Sequence, residues 1–286
     1  MNGRGGLGPN STSDMCGVVL AGGSGSRLYP LTVVTSKQLL PVYDRPLIHY
    51  PLSVLIAAGI GDILVVTGPG HLPGYRALLG DGSHLGVRIS YAVQTVPRGL
   101  ADALLVAADF IGARRVALVL GDNVFHAPEL PELMRREIAG LDGCTLFGSR
   151  VPDPHRYGVA ALAPDGSLLD LEEKPAVPRS DLAVTGLYLY DNEAVRYAAG
   201  LTPSARGELE ITDLNRRFLA EGRARLVPVG PDTTWMDAGT PDSLLDAGIF
   251  ARRAHRRGVP FPTLEEAART SGFLPEELPV AAGARV

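Results

Sequence analysis

The amino-acid sequence predicts an α/β fold built on an open, mainly parallel sheet, and three observations lead there. Short apolar runs bounded by turn residues, Gly17–Ala21, Ile63–Thr67 and Val116–Leu120, read as strands buried on both faces. Stretches of helical period, Tyr50–Gly59, His71–Leu79 and Ala101–Ala108, alternate with them, which is the rhythm of crossover connections between parallel strands. From Cys144 onward the pattern changes to strand-like runs joined by short turns: Thr145–Arg150, Gly158–Leu162, Leu168–Glu172 and Ala183–Tyr190.

Residues 1–15 are expected to be a flexible tail, because Met1 to Asp14 is rich in Gly, Asn and Ser and lacks the apolar segment of a signal peptide. The first strand empties into a loop carrying Gly22, Gly23 and Gly25, followed by Arg27. The next helix stops at Gly59, a usual C-terminal signal. Arg88–Val93 is a further strand that delivers Gln94 to the turn Pro97-Arg98-Gly99-Leu100, and Val116–Leu120 runs into Gly121-Asp122-Asn123. Asp165-Gly166 marks a hairpin in the later half. Glu208–Leu219 reads as an amphipathic helix, Arg225–Val229 as a strand, and Ser243–Arg253 and Leu264–Arg269 as closing helices. The chain shows no internal repeat and no linker dividing it into independent domains.

In an open α/β sheet, ligands sit beyond the carboxyl ends of the strands. Arg27, Gln94 and Asp122 each follow a separate strand, so they are expected to converge on one rim. A glycine loop there lets backbone N–H groups lie directly against a phosphate, and a guanidinium beside it suits phosphate oxygens by bidentate bonding. Two familiar glycine loops are excluded. The P-loop requires Gly-Lys-Ser/Thr where this chain has Gly25-Ser26-Arg27, and the dinucleotide fingerprint lacks its third glycine, since Leu28 follows. An aspartate after a strand is ordinarily a helix cap; convergence with the glycine loop favours a functional Asp122 instead. Glu173 beside Lys174 has the ordinary reading of a solvated surface pair.

Hydrophobic residues make up 45% and charged residues 20% of the 286, enough to bury a large core. A net charge of −4 with no long block of like charge argues against a nucleic-acid or membrane surface. No run approaches the roughly 20 apolar residues of a membrane span, and a cytoplasmic protein is expected. Cys16 and Cys144 have no partners at disulfide or metal spacing and read as buried small hydrophobes.

Taken together, several long strings occur in a consistent order: Leu20-Ala-Gly-Gly-Ser-Gly-Ser-Arg-Leu-Tyr-Pro30, Ser36-Lys-Gln-Leu-Leu-Pro41, Gly80-Asp-Gly-Ser83, Gly121-Asp-Asn123, Leu171-Glu-Glu-Lys-Pro175, Ala183-Val-Thr-Gly-Leu-Tyr188, Ala205-Arg-Gly-Glu-Leu-Glu-Ile-Thr-Asp213 and Trp235-Met-Asp237. In this the chain resembles the glucose-1-phosphate thymidylyltransferases, collinearly from about Cys16 to about Leu274. The resemblance implies a Rossmann-like nucleotidyltransferase core with a mixed, mainly parallel sheet and an inserted sugar-binding β region. It implies a single domain over residues 16–286, with a nucleotide-binding part at about 16–143, a sugar-binding part at about 144–240 and C-terminal helices at about 241–275. It also implies magnesium dependence, dTTP and α-D-glucose 1-phosphate as substrates, and a homotetramer.

By the same resemblance, Arg27 and Lys37 grip the triphosphate and the phosphoryl group being transferred, and Asp122 and Asp237 hold the metal. Leu20, Gly22, Gly23 and Gly25 line the nucleotide site, and Gln94 and Gly99 face the thymine edge. Tyr157, Gly158, Glu173, Lys174 and Val184 line the sugar phosphate pocket. The alternatives are a nucleotidyltransferase that takes UTP or another hexose 1-phosphate, and a binding protein that keeps the site without turnover. Family members often carry a second, regulatory nucleotide-sugar site. The segments His126-Ala127-Pro128 and Thr263–Thr270 depart from the family strings for it, Pro128 lacking a backbone N–H and Thr270 standing where the family has arginine. Feedback by dTDP-L-rhamnose is therefore expected to be weak, or to use a different ligand.

Overall fold

The structure, a computed structural model, describes residues 14–276 apart from Ser24 and Pro231. In chain order the strands are β1 (Met15–Ala21), β2 (Pro41–Val42), β3 (Arg45–Pro46), β4 (Asp62–Thr67), β5 (Arg88–Val93), β6 (Arg115–Leu120), β7 (Asn123–His126), β8 (Cys144–Arg150), β9 (Gly158–Leu162), β10 (Leu168–Glu173), β11 (Leu182–Tyr190), β12 (Ala224–Pro228) and β13 (Thr234–Asp237). The helices are α1 (His49–Ala57), α2 (Leu72–Leu79), α3 (Asp102–Val106), α4 (Ala108–Ile111), α5 (Leu130–Ala139), α6 (Glu193–Ala199), α7 (Ile211–Ala220), α8 (Pro241–Arg256) and α9 (Leu264–Thr270).

Among the described residues one sheet of nine strands dominates, in the order β10-β9-β11-β6-β1-β4-β5, with β8 and β12 joined through β11. Strands β6, β1, β4 and β5 are parallel, with Val19 level with both Val119 and Val65. Their side chains alternate between two cores, which is why these runs are apolar throughout. Val19 and Ala21 face α1, α5 and α9, where Leu52, Leu55, Met134 and Ala268 wait. Cys16, Val18 and Leu20 face α3, α6 and α7, through Leu104, Ala198, Leu214 and Phe218. Both cysteines are buried, and burial pushes the Cys16 thiol up to about 11.

Antiparallel β11 turns this half-sheet into a mixed one. Its end, Leu187–Tyr190, pairs with β6, while β8 pairs with it on both sides of a register shift between Val184 and Tyr188. At that shift Thr185 Oγ1 donates to the Phe147 carbonyl and Gly186 N–H to Asn123 Oδ1. The sequence reading did not anticipate the two-stranded ribbon of β7 and β13, where Asp237 stands opposite Asn123. Nor did it anticipate α5 and α6.

Three sequence boundaries are corrected. Met15 is buried and pairs with Arg115, and the Asp14 carboxylate bonds the same arginine, so ordered chain begins before Cys16; the rest of the expected tail, 1–13, lies outside the described residues. The expected helix over Ala101–Ala108 is two short helices, α3 and α4. The helix expected from Glu208 starts at Ile211, because the Leu209 peptide is held by another loop, donating to the Arg98 carbonyl and accepting from Ala101 N–H. Helix α8 begins at Pro241 behind a capping box in which Thr240 and Ser243 exchange side-chain to backbone bonds. No helix of the described residues is long and apolar enough to cross a membrane.

Candidate active site

A cavity of about 460 Å³ opens at the carboxyl ends of β1, β5 and β6, walled on the far side by β9, β10, β11 and the β7–β13 ribbon. The residues singled out in the sequence all line it: Leu20, Gly22, Gly23, Gly25, Arg27, Lys37, Gln94, Gly99 and Asp122 on one side, Tyr157, Gly158, Glu173, Lys174 and Val184 on the other, and Asp237 at the corner beside Asp122.

Gly25 takes left-handed angles at φ 63° and starts a single 3-10 turn, Ser26–Leu28. Buried Leu28 anchors that turn and Arg27 faces the cavity. Lys37 opens a second such turn, Lys37–Leu39, whose neighbours are fixed from below: Ser36 Oγ bonds Gln38 Oε1 at 2.6 Å, and Tyr75 Oη donates to Ser36 Oγ at 2.7 Å. Lys37 is thereby aimed at Asp122, and its ammonium bonds Asp122 Oδ2.

Asp122 and Asp237 become neighbours through the β7–β13 ribbon, one residue from Asn123 and directly opposite it. Burial works to raise the Asp122 carboxyl, but the Lys37 charge and hydrogen bond outweigh it and hold the group below the ordinary carboxylate range. Asp237 goes the other way, pushed up by burial and then by the Asp122 charge. Its Oδ1 is buried with no hydrogen-bond partner. An orphaned carboxylate oxygen beside a second carboxylate is a suitable start for a hard divalent cation, which takes one or two carboxylates plus phosphate and water oxygens. No cluster of three or more His, Cys, Asp or Glu ligands occurs among the described residues, so the phosphates of a substrate would have to complete the shell. Gly239 closes this corner: a Cβ there would lie 2.8 Å from both Arg27 Nη2 and Asp237 Oδ1.

On the β5 side, Gln94 Nε2 donates to Asp102 Oδ2 at 2.7 Å and to the Gly99 carbonyl at 3.4 Å, which fixes the amide in a buried position. Gly99 has φ 106° and lies so close to Leu209 that a Cβ would meet its carbonyl oxygen at 2.5 Å. The turn Pro97–Leu100 and the segment Glu208–Glu210 thus form a short backbone ladder, Leu209 N–H to Arg98 O at 2.7 Å and Ala101 N–H to Leu209 O at 3.2 Å.

Side-chain cross-links build the opposite wall. Glu173 accepts from Thr212 Oγ1 at 2.6 Å and lies 3.7 Å from both Lys174 Nζ and Arg206 Nη2. Lys174 is one of two non-glycine residues at positive φ among those described, at 45°, a strained backbone of the kind that collects at ligand sites. Trp235 stands 5.0 Å from the Tyr157 ring and donates its indole N–H to Asn123 Oδ1 at 2.6 Å. The sequence reading missed Arg206, Glu210 and Asn123. Arg206 forks onto buried Glu210, 3.1 Å from Nε and 2.7 Å from Nη2, and places a guanidinium in the cavity beside Glu173. Arg206 and Glu210 lie in the string Ala205–Asp213, and their i, i+4 spacing was the available signal.

Comparison with known proteins identifies the family. The model of the family described as nucleotidyl transferase matches residues 16–253. A glucose-1-phosphate thymidylyltransferase of Mycobacterium tuberculosis is 50% identical over 264 residues, spanning 92% of this chain and 91% of the relative. One of Xanthomonas campestris is 52% identical over 262 residues, spanning 91% and 89%. Among solved structures, a Bacillus anthracis chain described as a glucose-1-phosphate thymidylyltransferase, in complex with a sucrose, superposes with a TM-score of 0.78 at 42% identity, over 83% of this chain and 95% of that one. A UDP-glucose pyrophosphorylase complexed with UDP-glucose shares the fold, with a TM-score of 0.70 at 23% identity over 84% and 98%. The chain belongs to the nucleotidyl transferase family and, within it, to the glucose-1-phosphate thymidylyltransferases.

Proposed function

We propose that the protein transfers a thymidylyl group from dTTP to α-D-glucose 1-phosphate, giving dTDP-α-D-glucose and pyrophosphate. The observation that carries this reading is the convergence of Arg27, Lys37, Asp122 and Asp237 at one corner of a cavity whose far wall holds Glu173 and Lys174. A phosphate oxygen of the sugar phosphate attacks the α-phosphorus of dTTP, that P–O bond forms, and the bond from the α-phosphorus to the β-phosphate oxygen breaks. The nucleophile is already an anion, so no general base is required. Rate enhancement then rests on alignment and on neutralising charge. Arg27 and Lys37 bind the phosphates, Gln94 and Gly99 face the base, and Gly22, Gly23 and Gly25 with Leu20 make the floor. Tyr157, Gly158, Val184, Glu173 and Lys174 hold the sugar phosphate, with Lys174 on its phosphate and Glu173 on its hydroxyls. Asp122 and Asp237 would hold Mg2+, which supplies positive charge to the triphosphate.

The same reading makes residues 16–286 one catalytic domain, with a nucleotide part at about 16–143, a sugar part at about 144–240 and C-terminal helices after it. It also makes the enzyme a cytoplasmic homotetramer that opens a route to dTDP-deoxysugars. A panel of dTTP, UTP and CTP with several hexose 1-phosphates, followed by pyrophosphate release, tests the assignment. Turnover is expected only with a divalent metal, and best with dTTP and glucose 1-phosphate. Equal rates in excess chelator, or no turnover with any pair, would sink it.

A further inference from the structure

Lys37 holds one of the two Asp122 carboxylate oxygens that a metal would use. Its ammonium bonds Asp122 Oδ2, and Asp122 Oδ1 accepts from Asn123 Nδ2 at 3.2 Å, so both oxygens already have protein donors. The side chains of Lys37 and Asp122 are 13% and 11% exposed, which leaves little water to screen one charge from the next. A divalent cation on Oδ2 would stand beside an ammonium, and like charges that close repel strongly in a partly buried site. Asp237 Oδ1 carries no such obstruction. Lys37 Nζ also lies 4.0 Å from the Cβ position of Gly23, over the glycine loop. An anion seated on that loop would therefore offer the same ammonium a second partner within reach of its side chain.

We infer that Lys37 is an exchangeable counter-ion: it neutralises Asp122 in the protein alone and releases that carboxylate to a divalent cation when a polyphosphate on the glycine loop offers the ammonium a new partner. The inference rests on Asp122 and Asp237 as the metal ligands proposed above. It makes metal and nucleotide binding positively coupled, each raising the affinity for the other by the same factor.

The test uses Mn2+ without nucleotide, its free concentration read by electron paramagnetic resonance, on the wild type, Lys37→Gln, Lys37→Met and, as a control for loss of one positive charge, Lys174→Gln. Glutamine keeps a donor toward Asp122, so that variant retains a partner for the buried carboxylate should Lys37→Met fail to fold. Both Lys37 variants are expected to bind Mn2+ roughly tenfold more tightly than the wild type, in the ordinary range of coupling between linked sites. Lys174→Gln is expected to stay within about twofold, because that ammonium is about half exposed and screened by solvent. Adding Asp122→Asn to Lys37→Gln should abolish the gain. Unchanged Mn2+ affinity in the Lys37 variants, or an equal gain in Lys174→Gln, overturns the inference. If dTTP-dependent Mn2+ binding is nonetheless lost in Asp122→Asn, the metal site stands and only the exchange fails. A gain that survives Asp122→Asn overturns both.

Discussion

The two walls of the cavity hold their polar groups by different means. On the parallel side, Gly22, Gln94 and Asp122 come directly off β1, β5 and β6, so the hydrogen-bonded sheet fixes where each appears. On the antiparallel side, Glu173 and Trp235 project from β10 and β13, but their tips, like Arg206 in its loop, are set by side-chain bonds to Thr212, Asn123 and Glu210. A group placed by backbone is rigid whatever its neighbours do, whereas one placed by a partner side chain can be displaced without being touched. Deletions at the corner of Arg27 and Asp122 should therefore remove chemistry, whereas deletion of Gln94 at the other end of that side, or of the partners on the second, should loosen substrate binding.

The largest expected effect is Arg27→Ala, which removes one charge-stabilising group and should lower kcat by about 10² to 10³. A loss below tenfold in initial rate would make Arg27 a rim residue and break the contrast. Gly239→Ala comes next. Its methyl would sit 2.8 Å from Arg27 and Asp237 and push them apart, and displacements on the ångström scale cost up to about 10²-fold; kcat near wild type would show that the corner yields. On the second wall, Glu210→Gln leaves Arg206 without its carboxylate fork. It should raise KM for glucose 1-phosphate by roughly tenfold, the worth of one charged hydrogen bond, with kcat little changed. A fall in kcat at constant KM would place Arg206 in the chemistry.

With Gln94 on the base as proposed, Gln94→Ala should raise KM for dTTP by several-fold more than it lowers kcat, because a contact far from phosphorus binds ground and transition states alike. The smallest effect is expected from dTDP-L-rhamnose at saturating dTTP. The His126 ring packs on Phe250 and Phe261 at 5.4 and 4.9 Å with Nε2 at 2.9 Å from Val259 O, and Thr270 Oγ1 bonds its own helix, so both altered segments are already occupied by internal contacts. Low-micromolar inhibition that persists at saturating dTTP would contradict this.

This division also explains what could be read in the chain. Strand runs such as Val116–Leu120 announce themselves because they are buried on both faces, and whatever follows a strand end must lie on the rim. Arg27, Gln94 and Asp122 were legible for that reason alone. Lys174 and Glu173 were not: by residue type they are a surface pair, and only the resemblance set them in a pocket. Asn123 stayed hidden because its partner lies elsewhere, Trp235 standing 112 residues away, whereas Arg206 carried a local signal in its spacing to Glu210 that the reading passed over. The helix expected from Glu208 failed, like Asn123, on a distant partner. Its periodicity was real, but the Leu209 peptide has a stronger claim on it from Arg98 and Ala101.

That ladder at Leu209 limits how the protein can be re-engineered. The turn Pro97–Leu100 lines one wall of the cavity, and the segment that pairs with it brings Arg206 into the same cavity beside Glu173, so neither is a free-standing module. A graft that replaces that turn alone would have to preserve the glycine at 99, or Leu209 and the arginine behind it would shift. Exchange of nucleotide preference between relatives should succeed when residues 97–101 and 204–210 are transplanted together and fail when either travels by itself.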